Sequence, residues 1–176
     1  VEDTGEVQSV VMEDEVLSGT ILVNKDGEFL QDVKVLEEHW YDVIFRYFKK
    51  SLAGVTFKVY AGEDIVSPDG LDTLYYEKDQ LVEEIVTNDK GIAKLEELPL
   101  GKYYLVEAKT LDGFVLNQEP IEADLSYVDQ DTKVVYADMN VTNERQRVQV
   151  TVTKTDAETK EALEGAVFGL YPSEDI

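Results

Sequence analysis

No cysteine occurs anywhere in the 176 residues, which excludes disulfide staples and thiolate metal sites alike. The only histidine and the only tryptophan are neighbours, His39 and Trp40. With a single imidazole and neither a G-x-S-x-G nor an H-E-x-x-H motif, the usual machinery of hydrolases and zinc enzymes is missing. Basic residues are few, 16 against 38 acidic ones, for a net charge of −22. Such a chain repels phosphate backbones and anionic lipid, so nucleic acid is excluded as a partner class and membrane insertion is not expected in this segment. No apolar run approaches the length of a membrane span, and no charged n-region with an apolar h-region opens the chain. With Val1 at its start and the stretch FGLYPSEDI at its end, the sequence is expected to be part of a longer polypeptide.

What is present is enough apolar material for a core, 43% of residues, and an internal repeat. The segment LAGVTFKVYAGEDI at 52–65 aligns without a gap on LEGAVFGLYPSEDI at 163–176, matching at Leu52/Leu163, Gly54/Gly165, Phe57/Phe168 and Tyr60/Tyr171 among others. The pair Leu52/Leu163 sets the offset at 111 residues, too long for a solenoid unit and right for a whole domain. The expected organisation is residues 1–17 as a linker or the tail of a preceding module, 18–145 as one complete domain, and 146–176 as the truncated start of a second copy.

Period-two alternation marks half-buried strands. Ile21, Val23 and Lys25 share one face, as do Val148, Val150, Val152 and Lys154, and Met139, Val141 and Asn143 near the end of the first copy. Further strands are expected at 54–61, 81–87, 92–95, 102–110, 119–127 and 132–143, punctuated by the turn signals SPDG, TNDKG, LPLGK and LDG. Many short strands with such punctuation predict an all-β, antiparallel β-sandwich. Between 26 and 50 lies an insertion without a counterpart in the second copy. Its second half, DVIFRYFKK, alternates as a strand, with a short helix over Glu37–Phe48 as the alternative.

An amine and an amide at inward positions are costly unless they are neutral, paired or consumed. The motifs around them, NKDGE on the first strand, LAGVTFKVY, LPLGKYYLVEAKTLDGFVL and a closing VTNER, resemble the collagen-adhesin B-type, or SpaA-like, prealbumin-like domains of Gram-positive surface proteins and pili. The resemblance covers roughly 18–145 and implies a reverse immunoglobulin-like sandwich. It implies, too, an intramolecular isopeptide bond between Lys25 as nucleophile and Asn143 as acyl acceptor, assisted by Glu107 as the acid. Lys154 is then the equivalent lysine of the next copy, with no partner in this segment. Lys34 is the rival to Lys25; Asn140, on the opposite parity, is the weaker rival to Asn143.

The chemistry is self-consistent if the three groups meet in a core. Burial lowers an amine's pKa and raises a carboxyl's, so a neutral amine and a protonated acid can coexist. The expected course is attack on the side-chain carbonyl while the acid donates to the carbonyl oxygen and later relays a proton to departing ammonia.

The function expected from the resemblance is a stalk or spacer module of a cell-wall-anchored, extracellular protein, with neighbouring homologous modules as partners and no cofactor or metal. The alternative is an adhesive module binding host matrix protein or glycan through the 26–50 insertion. A glycan-cleaving enzyme rests on abundant carboxylates alone. The acidic turns NKDGE, SPDGLD and DQD lack the ligand spacing of an EF-hand loop, and YPSE at 171–174 lacks a lysine for pilus polymerisation.

Overall fold

The computed structural model describes residues 17–35, 43–68, 71–169 and 171, and every regular element among them is a β-strand. The chain divides into a larger unit, Val1–Gln146, and a smaller one, Arg147–Ile176.

In the larger unit the strands are β1 (Ser18–Val35), β2 (Val43–Ser51), β3 (Thr56–Ala61), β4 (Ile65–Val66), β5 (Leu74–Tyr76), β6 (Leu81–Val86), β7 (Ile92–Leu98), β8 (Lys102–Lys109), β9 (Ile121–Asp124) and β10 (Val134–Asn143). One sheet has the order β10–β1–β2, with β7 also paired to β1; the other runs β6–β3–β8–β9, and β4–β5 form a separate small ribbon. All pairs are antiparallel except β1 with β10, which run parallel from Ser18↔Val134 to Gly27↔Asn143. The first and last strands of the unit therefore lie side by side in one sheet, an arrangement that alternation alone does not reveal.

The two sheets enclose one apolar core. Ile21, Val23, Ala93 and Val141 come from the first sheet, and Phe57, Val59, Ile85, Tyr103 and Leu105 from the second. Burial alternates along β3 and β8 as the period-two pattern predicts. Tyr103 satisfies its hydroxyl on the Pro99 carbonyl at 2.7 Å, which lets so large a polar-tipped ring lie inside.

β1 is longer than its sequence pattern suggested, because one edge serves two partners in succession. β7 takes Gly19–Asn24 and β2 takes Asp26–Val35. Past Gly27, where β10 ends, β1 and β2 continue as a two-stranded ribbon with Leu30, Val33, Ile44, Phe45 and Phe48 exposed. The strand reading of 43–50 thus holds, and Val43–Phe48 is not helical: the free edge of β1 offers a full ladder of hydrogen bonds that a short helix would forgo. The rest of that helical alternative, with His39 and Trp40, lies outside the described residues. The β4–β5 ribbon was not anticipated.

In the smaller unit, Val148–Lys154 is not a strand, contrary to its alternation, and Val148, Val150 and Val152 are exposed. A β-strand without a neighbour gains no ladder bonds and has no stability of its own. The local turn is formed: Asp156 Oδ1 accepts from the backbone N–H groups of Glu158 and Thr159, both at 2.9 Å, and Thr155 bridges Ala162. Gly54 and Gly165, matched in the repeat, share a left-handed backbone with φ of 79° in each copy. The same left-handed backbone is thus present in both units, at a residue type that adopts it without penalty.

Candidate functional site

Lys25 sits on the inner face of β1, two residue pairs before β10 ends, and Asn143 is the last residue of β10. In a parallel pair, neighbours on one face lie at staggered positions, so register alone places the two side chains together. Glu107 reaches the same point from β8 of the facing sheet. All three are 1% exposed.

Lys25 Nζ donates to Asn143 Oδ1 at 2.5 Å. Asn143 Nδ2 donates to Glu107 Oε1 at 2.5 Å and to Thr110 Oγ1 at 2.8 Å. The second carboxylate oxygen, Oε2, lies 3.3 Å from Lys25 Nζ at an angle that makes it an ion pair rather than a hydrogen bond. One oxygen of Glu107 therefore faces the amide and the other the amine. The carbonyl oxygen of Asn143 accepts from the amine, not from the acid as the sequence led us to expect: an ammonium has only donors and a carboxylate only acceptors, so the amide turns its oxygen to the first and its nitrogen to the second.

Burial pushes the pKa of Lys25 below its ordinary 10.5; the negative charge of Glu107, and more weakly that of Asp26, oppose this without reversing it. Desolvation outweighing an adjacent carboxylate is the condition that makes a lysine available as a free amine.

The backbone around Lys25 is closely held. Its N–H donates to Gly91 O at 2.7 Å and its carbonyl accepts from Leu52 N at 2.9 Å. Gly91 has φ of 73°, and a Cβ there would meet the Lys25 carbonyl oxygen at 2.4 Å, so a glycine is needed for that approach. Phe114 covers the site, packed so close over Gly27 that a Cβ at 27 would lie 2.5 Å from its ring. Phe114 is pinned by a bridge to Arg145 and by Val115 N–H on Glu144 O at 2.9 Å. Its ring meets Phe29 edge-on at 5.4 Å, and the Arg145 guanidinium lies 5.4 Å from its centroid. The Lys25 side chain has no exposure to solvent.

The structure brings Lys25, Asn143 and Glu107 together and leaves the rivals outside: Lys34 is exposed on the projecting ribbon and Asn140 is exposed on β10. Lys154, in the smaller unit, is exposed and donates to Thr155 O at 3.1 Å. Thr110 was missed. Its only sequence signal is its place three residues after Glu107, where the end of β8 keeps it near the site. Among the described residues no group of three or more histidine and carboxylate side chains is arranged to hold a metal ion, and no helix is long and apolar enough to cross a membrane.

A family model described as SpaA, prealbumin-like fold domain, matches residues 47–141, more than half of the chain. The chain belongs to this family. No curated protein matches it. Among solved structures, the SpaA-type chain is similar to the minor pilin GBS52 of Streptococcus agalactiae, at 18% identity and a TM-score of 0.49 over 79% of this chain and 49% of that one. It is similar to the full-length major pilin SpaD of Corynebacterium diphtheriae at 19% identity and a TM-score of 0.46, over 73% of this chain and 30% of that one. The SpaA-type chain thus spans half or less of the length of these proteins.

Proposed function

We propose that the larger unit is a structural stalk module, locked by a self-formed isopeptide bond between Lys25 and Asn143 with Glu107 as proton carrier. The observation that carries this reading is the buried contact of amine, amide and carboxyl, at 2.5, 2.5 and 3.3 Å, between the first and last strands of the unit. The reaction balances within the site. Lys25 gives a proton to Glu107 Oε2, and the free amine attacks Cγ of Asn143. Glu107 passes that proton on to Nδ2 and takes a second one from Nζ. The Cγ–Nδ2 bond breaks, an amide N–H remains, and the proton left on Glu107 departs with the ammonia as ammonium, which returns Glu107 to its carboxylate. There is one turnover and no external substrate, so the module is not an enzyme in the ordinary sense.

Membership of the SpaA-type family supports placing this module in an extracellular, cell-wall-anchored protein of a Gram-positive bacterium. Adjacent homologous modules are its partners, the smaller unit being the start of the next. The shared left-handed glycine of the two copies supports that division.

The mechanical role is testable by pulling. With β1 and β10 bonded, force entering at one end and leaving at the other crosses the Lys25–Asn143 link and bypasses the 118-residue separation between them. In single-molecule stretching the parent is expected to release none of this length, and Lys25→Ala to release roughly 400 Å at 3.3–3.6 Å per residue. Equal extension of the two chains rejects the stalk reading.

A second reading is favoured by the projecting ribbon. It exposes Leu30, Val33, Ile44, Phe45 and Phe48 beside Lys34, Arg46, Lys49 and Lys50, an apolar and basic surface on an acidic chain, suited to host matrix protein or glycan. Replacing 30–47 by a short turn is expected to leave thermal stability within a few degrees. Loss of adhesion to an immobilised matrix preparation supports a binding role, and retained adhesion removes it.

A further inference from the structure

We infer that Thr110 is a positioning residue for this cross-link: its hydroxyl holds the nitrogen that leaves and stands at that nitrogen's outlet. The inference rests on the reading of the site given above.

Asn143 Nδ2 carries two hydrogens and the structure supplies two acceptors, Glu107 Oε1 at 2.5 Å and Thr110 Oγ1 at 2.8 Å. Without Thr110 the amide is held by Lys25 at its oxygen and by Glu107 through one N–H, an arrangement that still permits rocking about Cβ–Cγ. The second N–H bond fixes the amide plane and hence the face of Cγ presented to Nζ. Small errors in that approach are expensive, because near-attack geometry accounts for much of any intramolecular rate.

Thr110 differs from the other three in exposure. Lys25, Asn143 and Glu107 are buried, whereas Thr110 is half-buried and lines a surface cleft of about 440 Å³ together with Lys109, Leu111, Gly113, Phe114 and Gln146. The leaving nitrogen therefore points at the one member of the cluster that also faces solvent. As the Cγ–Nδ2 bond breaks, ammonia keeps its contact with Oγ1 and passes along it into the cleft.

The test is the rate of ammonia loss. The full chain is made by cell-free synthesis, quenched in acid at successive times, and its cross-linked fraction read from intact mass. Thr110→Val removes the acceptor at nearly constant shape, and cross-linking is expected to slow by roughly tenfold, the worth of one neutral hydrogen bond expressed as a rate. Thr110→Ser is expected to recover to within roughly threefold of the parent, and Thr110→Ala to behave as Thr110→Val. Far-UV circular dichroism and melting of each substitution in the Lys25→Ala background, where no bond forms, separate slow chemistry from poor folding. Parent-like rates in both Val and Ala variants overturn the role of Thr110 while leaving the cross-link standing. So does a slow Ser variant that is fully folded. A parent that never loses ammonia overturns both the cross-link and this inference.

Discussion

Purified and denatured, the parent chain is expected to weigh one ammonia less than its sequence requires, and Lys25→Ala and Asn143→Ala to weigh what their sequences require. The change is all-or-none because each of these residues supplies one end of the new bond. Glu107→Ala is different in kind. Amine and amide remain adjacent, but the carrier between Nζ and Nδ2 is gone, and loss of general acid–base help costs roughly 10²–10⁴-fold in rate. A freshly made Glu107→Ala chain should therefore show full mass, with any deficit growing slowly over days. Digestion of the parent should yield one branched peptide joining the segments that carry Lys25 and Asn143. A parent of unshifted mass leaves the fold intact and makes the three residues an ordinary buried polar cluster.

The second large effect is on stability. A link between residues 118 apart removes loop entropy from the unfolded chain worth about 5 kcal/mol on the disulfide model. Lys25→Ala and Asn143→Ala should lose at least this, which for a unit of this size lowers the melting temperature by roughly 15–25 °C. Lys25→Ala, and Glu107→Ala while uncross-linked, should fall further than Asn143→Ala, since each breaks the buried ion pair and leaves one partner alone in the core, a defect of roughly 3–5 kcal/mol. Denaturant unfolding of the four chains checks the order. Parent and Lys25→Ala unfolding together would sink the covalent explanation.

The same series has a signature in pH. In Asn143→Ala the lysine stays a free group whose folded-state pKa burial lowers from 10.5, against the pull of Glu107 and Asp26. Between that lowered value and 10.5 the unfolded chain binds more protons than the folded one, so stability rises with pH across this window and levels off above it. In the parent, Nζ is an amide nitrogen and does not titrate. Its stability should lack this slope, and the difference between the two curves isolates Lys25 from the carboxylates common to both.

Much of this arrangement is legible in the residues. Period-two burial runs through Ile21, Val23 and Lys25 and through Met139, Val141 and Asn143, and a strand with one face in a core gives its inward side chains little choice of direction. Asn143 is thereby set apart from Asn140, whereas Lys34 stayed a rival to Lys25 until the structure placed it on the exposed ribbon. Glu107 is a different case: among 38 acidic residues, only the family motif around GKYYLVE distinguishes it. Thr110 lies within the longer motif LPLGKYYLVEAKTLDGFVL, but nothing in it marks the threonine as part of the site. Val148–Lys154 shows the opposite failure, perfect alternation without a strand, because a pattern specifies which face would be buried but does not provide the neighbour that buries it.

By itself the sequence determined the class of fold, the repeat, the absence of disulfide and thiolate metal chemistry, and which side chains point inward; these follow from local periodicity and composition, which need no knowledge of what lies across the core. Only the tertiary structure decided that β1 and β10 run parallel as neighbours, that one carboxylate reaches them from the facing sheet with one oxygen on the amine and one on the amide, and that Thr110 accepts from the side-chain nitrogen of Asn143. Those are distances between segments far apart in the chain, set by sheet order and packing, and no local pattern encodes them.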